Sequence, residues 1–161
     1  MLSNHINEGE RLLQLGRYEE ALACFNALLD QDPDARFGSA VALQLLGRFE
    51  EAEQQYQRVL AIFPRDEEVL SNLIAMSVEQ FDLDRVERYS RRLLQINADH
   101  TVALEGLTLT AVERRDYPTA AQYLSRIVWS EEPPGDAIEY RLSPALADRL
   151  RSLYGTIANS H

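Results

Sequence analysis

Along most of the chain apolar residues return every three or four positions, the spacing that gathers them on one side of an α-helix. Ile6, Leu12, Leu13 and Leu15 mark a first helix from about Ser3 or Asn4, a fitting N-cap, to Leu15, with Gly9 as a small contact position. Its partner is expected from about Tyr18 to Asp30. Asp32-Pro33-Asp34 makes a turn, Asp34 caps a third helix that ends at Leu46, and a fourth runs from about Phe49 to Ile62. After Pro64-Arg65-Asp66, the spacing of Val69, Leu70, Leu73, Ile74 and Val78 predicts a fifth helix to about Gln80, and Asp82 caps a sixth that ends near Ile96. A seventh from about Val102 to Arg114 and an eighth from about Tyr117 to Ser130 follow. Pro118 falls in the first turn of the eighth, where its missing N–H is tolerated. Leu104, Leu107, Val112, Leu124, Ile127 and Val128 supply their apolar sides.

Within this pattern one stretch occurs twice, as Gly16-Arg17-Tyr18-Glu19-Glu20-Ala21 and as Gly47-Arg48-Phe49-Glu50-Glu51-Ala52. Each copy goes on to an aromatic four residues after the alanine (Phe25, Tyr56), then to apolar positions (Leu28 and Leu29, Val59 and Leu60), then to Pro33 or Pro64. Glycine ends one helix where a left-handed backbone is wanted, the small alanine lets two helices approach, and proline cannot continue the helix before it. Two weaker copies keep the register. Phe81, Leu83 and Val86 stand 34 residues after the second copy, and Arg115, Tyr117 and Ala120 stand 34 further on. Both lack the turn glycine, and the third copy has Ala98 in place of proline.

These residues resemble the tetratricopeptide repeat family, in a bacterial member of it; the family's period is 34 residues. The resemblance implies an all-α fold, a right-handed superhelical array of about four helix-turn-helix repeats with a C-terminal capping helix. The array is expected over residues 1–133, with repeats at about 2–33, 34–66, 67–100 and 101–133, and residues 134–161 as linker and capping helix. Because the first two copies lie only 31 residues apart, the helix entering the second repeat is expected to be about one turn short.

The stretch from Glu131 through Pro133, Pro134 and Gly135 to Asp136 cannot be helical and ends the array. After a short segment from Asp136 to Leu142, Ser143-Pro144 opens a helix whose Leu146, Leu150, Leu153, Tyr154 and Ile157 make one apolar face. Capping the last repeat is its expected role, because that repeat would otherwise turn an apolar face to water; the alternative is a helix reserved for another chain.

Composition narrows the function. A chain of 161 residues suits one domain with a sizeable core, and 7 Gly and 6 Pro leave little room for long loops. A net charge of -10 argues against nucleic acid and against anionic membrane surfaces. All 16 basic residues are arginine, which removes the P-loop lysine and Schiff-base chemistry. Cys24, the one cysteine, allows neither an intramolecular disulfide nor a zinc cluster. The N-terminal residues lack the pattern of a signal peptide and no 18-residue apolar run occurs, so a cytoplasmic location is expected.

Candidate chemistry is sparse. His5, His100 and His161 cannot bring two imidazoles onto one helix face, and nothing local pairs Cys24 with a base. Glu19-Glu20 and Glu50-Glu51 fall at helix starts, where negative charge favours the dipole. Arg85, Arg88, Arg91 and Arg92 follow helical spacing, with Asp82, Asp84 and Glu87 in reach, so a paired, solvated face is expected over an anion site. Tyr123 and Trp129 are expected to anchor the C-terminal helix. No Gly-rich phosphate loop, nucleophile elbow or metal motif is present; no catalytic residue, cofactor or metal is expected, and the reading is of a protein that is not an enzyme.

The resemblance implies that the first helices of successive repeats line a concave groove that holds peptide segments of other proteins. The inward candidates are Ile6, Glu10, Leu13, Phe37, Val41, Gln44, Leu45, Asn72, Ala75, Val78, Glu79, Glu105, Leu109, Val112 and Glu113. Phe37, Val41 and Leu45 recur at four-residue spacing and either face the groove or pack inside the repeat. The expected partner is a protein or peptide segment, apolar with basic flanks, gripped by apolar burial and selected by Glu10, Glu79, Glu105 and Glu113. One branch of the family clamps the C-terminal carboxylate of chaperones with basic groups and Asn; Asn72 is present here without basic groups. The alternatives are a self-association module, such as a homodimer, and a secretion-type chaperone for translocator subunits, similar in size and in Asp34-Ala35-Arg36-Phe37.

Overall fold

The computed structural model describes residues 2–127, which form eight α-helices and no strand. These are α1 (Leu2–Gln14), α2 (Tyr18–Asn26), α3 (Pro33–Leu45), α4 (Phe49–Ile62), α5 (Glu67–Glu79), α6 (Leu83–Ile96), α7 (Thr101–Glu113) and α8 (Tyr117–Arg126). The chain divides into two compact units, Met1–Val69 and Leu70–His161. In the first, α1 packs on α2, α2 on α3 and α3 on α4; in the second, α6 packs on α7 and α7 on α8. The expected all-helical repeat architecture is present. The expected linker and capping helix, and Trp129, lie outside the described residues.

Each helix pair turns on one left-handed residue. Positive φ occurs at Gly16 (72°), Gly47 (73°), Phe81 (55°) and Arg115 (61°), the four equivalent positions of the repeat register. At the first turn Gly16 N–H donates to the Leu13 carbonyl at 3.0 Å and Arg17 N–H to the Leu12 carbonyl at 2.9 Å. The same two bonds recur at Gly47 and Arg48, at Phe81 and Asp82, and at Arg115 and Asp116. They satisfy carbonyls that the end of a helix would leave without partners. Glycine adopts this backbone freely, whereas a residue with a Cβ is strained by about 1–2 kcal/mol. Where the glycine is missing, the next residue is aspartate. The Asp82 carboxylate accepts from Arg85 N–H at 3.0 Å and that of Asp116 from Thr119 N–H at 3.3 Å, capping α6 and α8. Such a cap contributes about 1 kcal/mol, the size of the strain beside it. Arg17 and Arg48 hold this place in the first two pairs and make no cap; they pair with Glu20 and Glu51 on the surface instead.

The residues missing from the first spacing come out of α2, which corrects the expected shortening of the next helix. α3 has 13 residues, like α5 and α7, whereas α2 has 9 against 14 in α4 and α6. α2 therefore ends at Asn26, not near Asp30. The reason is burial: α3 is enclosed without a break from Gly38 to Gln44, so a turn lost there would open the core, while the end of α2 lies at the surface. Arg36 closes the shortened end, its Nη2 donating to the Leu29 carbonyl at 2.8 Å and its Nη1 to Gln55 Oε1 at 3.1 Å. Asp32 rather than Asp34 caps α3, accepting from Asp34 N–H at 2.9 Å with Pro33 as the first helical residue.

Phe25 centres the first unit, where it clusters with Leu12, Ala21, Leu28 and Ala35. Its ring lies against bare backbone on two sides: a Cβ at Gly9 would come within 2.6 Å of it, and one at Gly38 within 2.5 Å. In the second unit Gly106 stands at the place equivalent to Gly38, and a Cβ there would meet Ser90 Oγ at 2.5 Å and Val86 at 3.2 Å.

Gly38→Ala should lower stability by about 1–3 kcal/mol, because an enclosed ring has little room to yield. An unchanged urea midpoint would refute the tight seat of Phe25. Gly47→Ala and Arg115→Gly isolate the turn, since nothing lies within 4 Å of a Cβ at Gly47 and Arg115 is exposed. The first should lose, and the second gain, on the order of 1 kcal/mol. Thermal melts moving in the opposite directions would show that the left-handed turns carry no strain.

Candidate functional site

The inward candidates separate into those the fold encloses and those it leaves open. Val41 (2% exposed), Asn72 (0%) and Leu109 (2%) are enclosed, as are Gln44, Ala75 and Val112. Gln44 Oε1 accepts the Tyr56 hydroxyl at 2.9 Å, and Val112 packs with Ala111 and Ala120 between α7 and α8. These six are enclosed and offer little surface to a ligand. The first helix of a pair is covered on several sides, so a four-residue apolar spacing does not single out its open face. Phe37 keeps part of its surface while its ring meets Tyr56 edge-on, centroids 6.0 Å apart.

The open remainder differs in chemistry between the units. In the first, Leu45 is 43% exposed, Ile6, Leu13 and Phe37 are half-buried, and Glu10 is exposed, so the accessible set is apolar with one carboxylate. In the second, Val78, Glu105 and Glu113 are half-buried and Glu79 is exposed, so carboxylates dominate. Burial raises the Glu79 carboxyl and lifts that of Glu105 from 4.5 to about 7. Neither finds a cation or a hydrogen-bond donor among the described residues.

The arginines of α6 form the paired face expected for them. Arg91 bonds Glu87 at 2.7 Å, Arg85 lies 3.1 Å from the Asp82 carboxylate, and Arg88 stacks over Tyr89 at 5.0 Å. Arg114, from the end of α7, reaches Asp84 at 2.8 Å and also Glu87. Phe81, at a glycine position of the register, has a left-handed backbone and is 52% exposed at the α5–α6 turn. Cys24 packs half-buried against the Phe25 cluster, and His100 stands before α7 without capping it through its side chain. Among the described residues no group of three His, Cys, Asp or Glu is placed to hold a metal, and no helix is long and apolar enough to cross a membrane.

Helix pairs closed by a left-handed residue at fixed register, with small residues where the helices meet, define a helical-repeat protein. Residues 6–67 match the profile of the tetratricopeptide repeat family. An uncharacterized protein of Methanocaldococcus jannaschii is 38% identical over 61 residues, 36% of this chain and 71% of that protein. The CTR9 homolog of Arabidopsis thaliana is 30% identical over 118 residues, 71% of this chain, and the chain spans 11% of that protein's length. A solved tetratricopeptide repeat protein from Parabacteroides merdae superposes with a TM-score of 0.73 at 19% identity, covering 99% of this chain and 64% of the other; that likeness is one of fold.

Val41→Glu and Leu45→Glu test the division between enclosed and open positions. The first buries an unpaired charge and should cost several kcal/mol, whereas the second should leave the urea midpoint near that of the parent. Equal losses would mean that α3 presents another face.

Proposed function

We propose that the protein is a non-enzymatic adaptor or chaperone of the cytoplasm that captures a segment of another protein, apolar in one part and basic in another. The open candidates of each unit, taken by themselves, support this reading. Leu13, Phe37 and Leu45 offer apolar surface, whose burial contributes about 25 cal/mol per Å². Glu79 and Glu105 are carboxylates partly withdrawn from water without a cation. A lysine or arginine of the bound segment would restore the ionised form and offset that desolvation. Charge complementarity then sets specificity and encounter rate, and apolar burial sets residence. Self-association is the alternative reading, which the same experiment separates, and a role limited to translocator subunits is a narrower one.

Selection from a random peptide library should enrich sequences that combine an apolar run with Arg or Lys. Leu45→Glu should weaken peptides that depend on their apolar run, and Glu79→Arg those that depend on Arg or Lys, each at least tenfold with melting temperature unchanged, and Glu79→Arg should flatten the salt dependence. Selected peptides free of basic residues, or affinities indifferent to both substitutions, would overturn the assignment. A stable dimer by light scattering that takes up no peptide would point to self-association.

A further inference from the structure

We propose that the α5–α6 turn carries a separate binding site, a cleft that receives an arginine side chain of another protein. The cleft measures about 510 Å³ and is lined by Gln80, Phe81, Asp82, Leu83 and Asp84 together with Arg114. That volume falls within the roughly 300–1,000 Å³ of small-ligand sites. All six residues lie in the second unit, and none is among the inward candidates, so the proposal does not rest on the peptide-capture reading.

Phe81 is the first sign of the site. Its register position takes glycine in the first two repeats, where the left-handed backbone is free of strain, whereas a phenylalanine at φ 55° is strained. Burial does not offset that strain, because the residue stays 52% exposed. A bulky side chain held at a left-handed position is the kind of outlier that marks a ligand contact.

The charges of the lining select the ligand. Asp82 is engaged in capping α6 and in a pair with Arg85, 3.1 Å away. Asp84 is open: its side chain is 93% exposed, its Oδ1 accepts from Arg114 Nη2 at 2.8 Å, and its Oδ2 has no donor among the described residues. Arg114 is itself divided between Asp84 and Glu87. An anion entering here would meet Asp82 and Asp84, and a wholly apolar group would cover Asp84 without giving it a donor, which is unfavourable. A guanidinium suits both features, its face stacking on the ring and its edge donating to Asp84 Oδ2. Lysine would bring the charge without the planar face. Gln80 adds a donor, since its Nε2 is buried without an acceptor and a backbone carbonyl of the entering segment would supply one.

The test titrates the full-length protein with N-acetylarginine methylamide and with its citrulline, lysine and glutamate counterparts, following backbone amides by two-dimensional NMR. The arginine probe should give saturable shifts centred on residues 80–84 and Arg114, and citrulline, its uncharged isostere, should bind at least tenfold more weakly. Phe81→Gly removes the ring and suits the turn, so it should melt at or above the parent and weaken the arginine probe about fivefold or more. Asp84→Asn should weaken it as much with melting temperature unchanged, because an exposed ion pair contributes little to stability. If Phe81→Gly melts below the parent, Asp84→Asn decides. No saturable shift, shifts spread over carboxylates elsewhere in this acidic chain, or binding that the variants leave unchanged would overturn the site. Equal affinity for lysine would overturn the assignment to arginine, and tighter binding of glutamate would overturn the sign of the ligand's charge. Every inward candidate is left intact, so each of these failures is distinct from a failure of peptide capture.

Discussion

The first unit depends on how closely two helix backbones can approach one ring. Phe25 occupies the space that side chains at Gly9 and Gly38 would fill, so α1 and α3 meet the aromatic with bare backbone. Close packing of this kind leaves no slack, and a single methyl group on either glycine must displace the ring or a helix. The constraint propagates along the chain. α3 has to stay long enough to carry both Gly38 and the unbroken buried run that ends at Gln44, so the three-residue deficit is taken up in α2, where Arg36 replaces part of the lost helix by bonding the Leu29 carbonyl. The second unit meets the same constraint with smaller groups, Gly106 against Ser90 and Val86.

A second constraint lies at the turns. The register demands a left-handed residue every repeat, and the chain meets it with glycine twice and with Phe81 and Arg115 otherwise. The substitution of glycine is accompanied by an aspartate cap at the next position, so strain at the turn is offset by a hydrogen bond one residue later. Local sequence and local energy are therefore matched within a two-residue window, Gly-Arg in two repeats and Phe-Asp or Arg-Asp in the others. The ring of Phe81 stands about half exposed at this turn.

Functional chemistry is left to the few inward positions that packing does not claim. Interior demands take Val41, Gln44, Asn72, Ala75, Leu109 and Val112. What remains is mostly apolar in the first unit and mostly acidic in the second, where burial lifts the half-buried carboxyl of Glu105 to about 7. Arg17, Arg48, Arg91 and Arg114 are held in surface pairs with Glu20, Glu51, Glu87 and Asp84. Glu79 and Glu105 have no cation among the described residues.

The sequence by itself determined the helical class, the repeat register and the positions of the four turns, because each rests on residues near in the chain: apolar spacing, a left-handed residue after each first helix, a small residue where paired helices touch. Boundaries such as Phe49–Ile62 follow from the same local signals. It did not determine where the three missing residues would be absorbed, since the loss lies anywhere between Phe25 and Gly38 as far as spacing can say, and the burial of α3 decides it. Nor did it separate Val41 from Leu45, four residues apart on one helix, of which one is enclosed and the other open. Periodicity reports which residues share a side of a helix; how many sides are covered depends on neighbours distant in sequence, and that is a property of the tertiary structure.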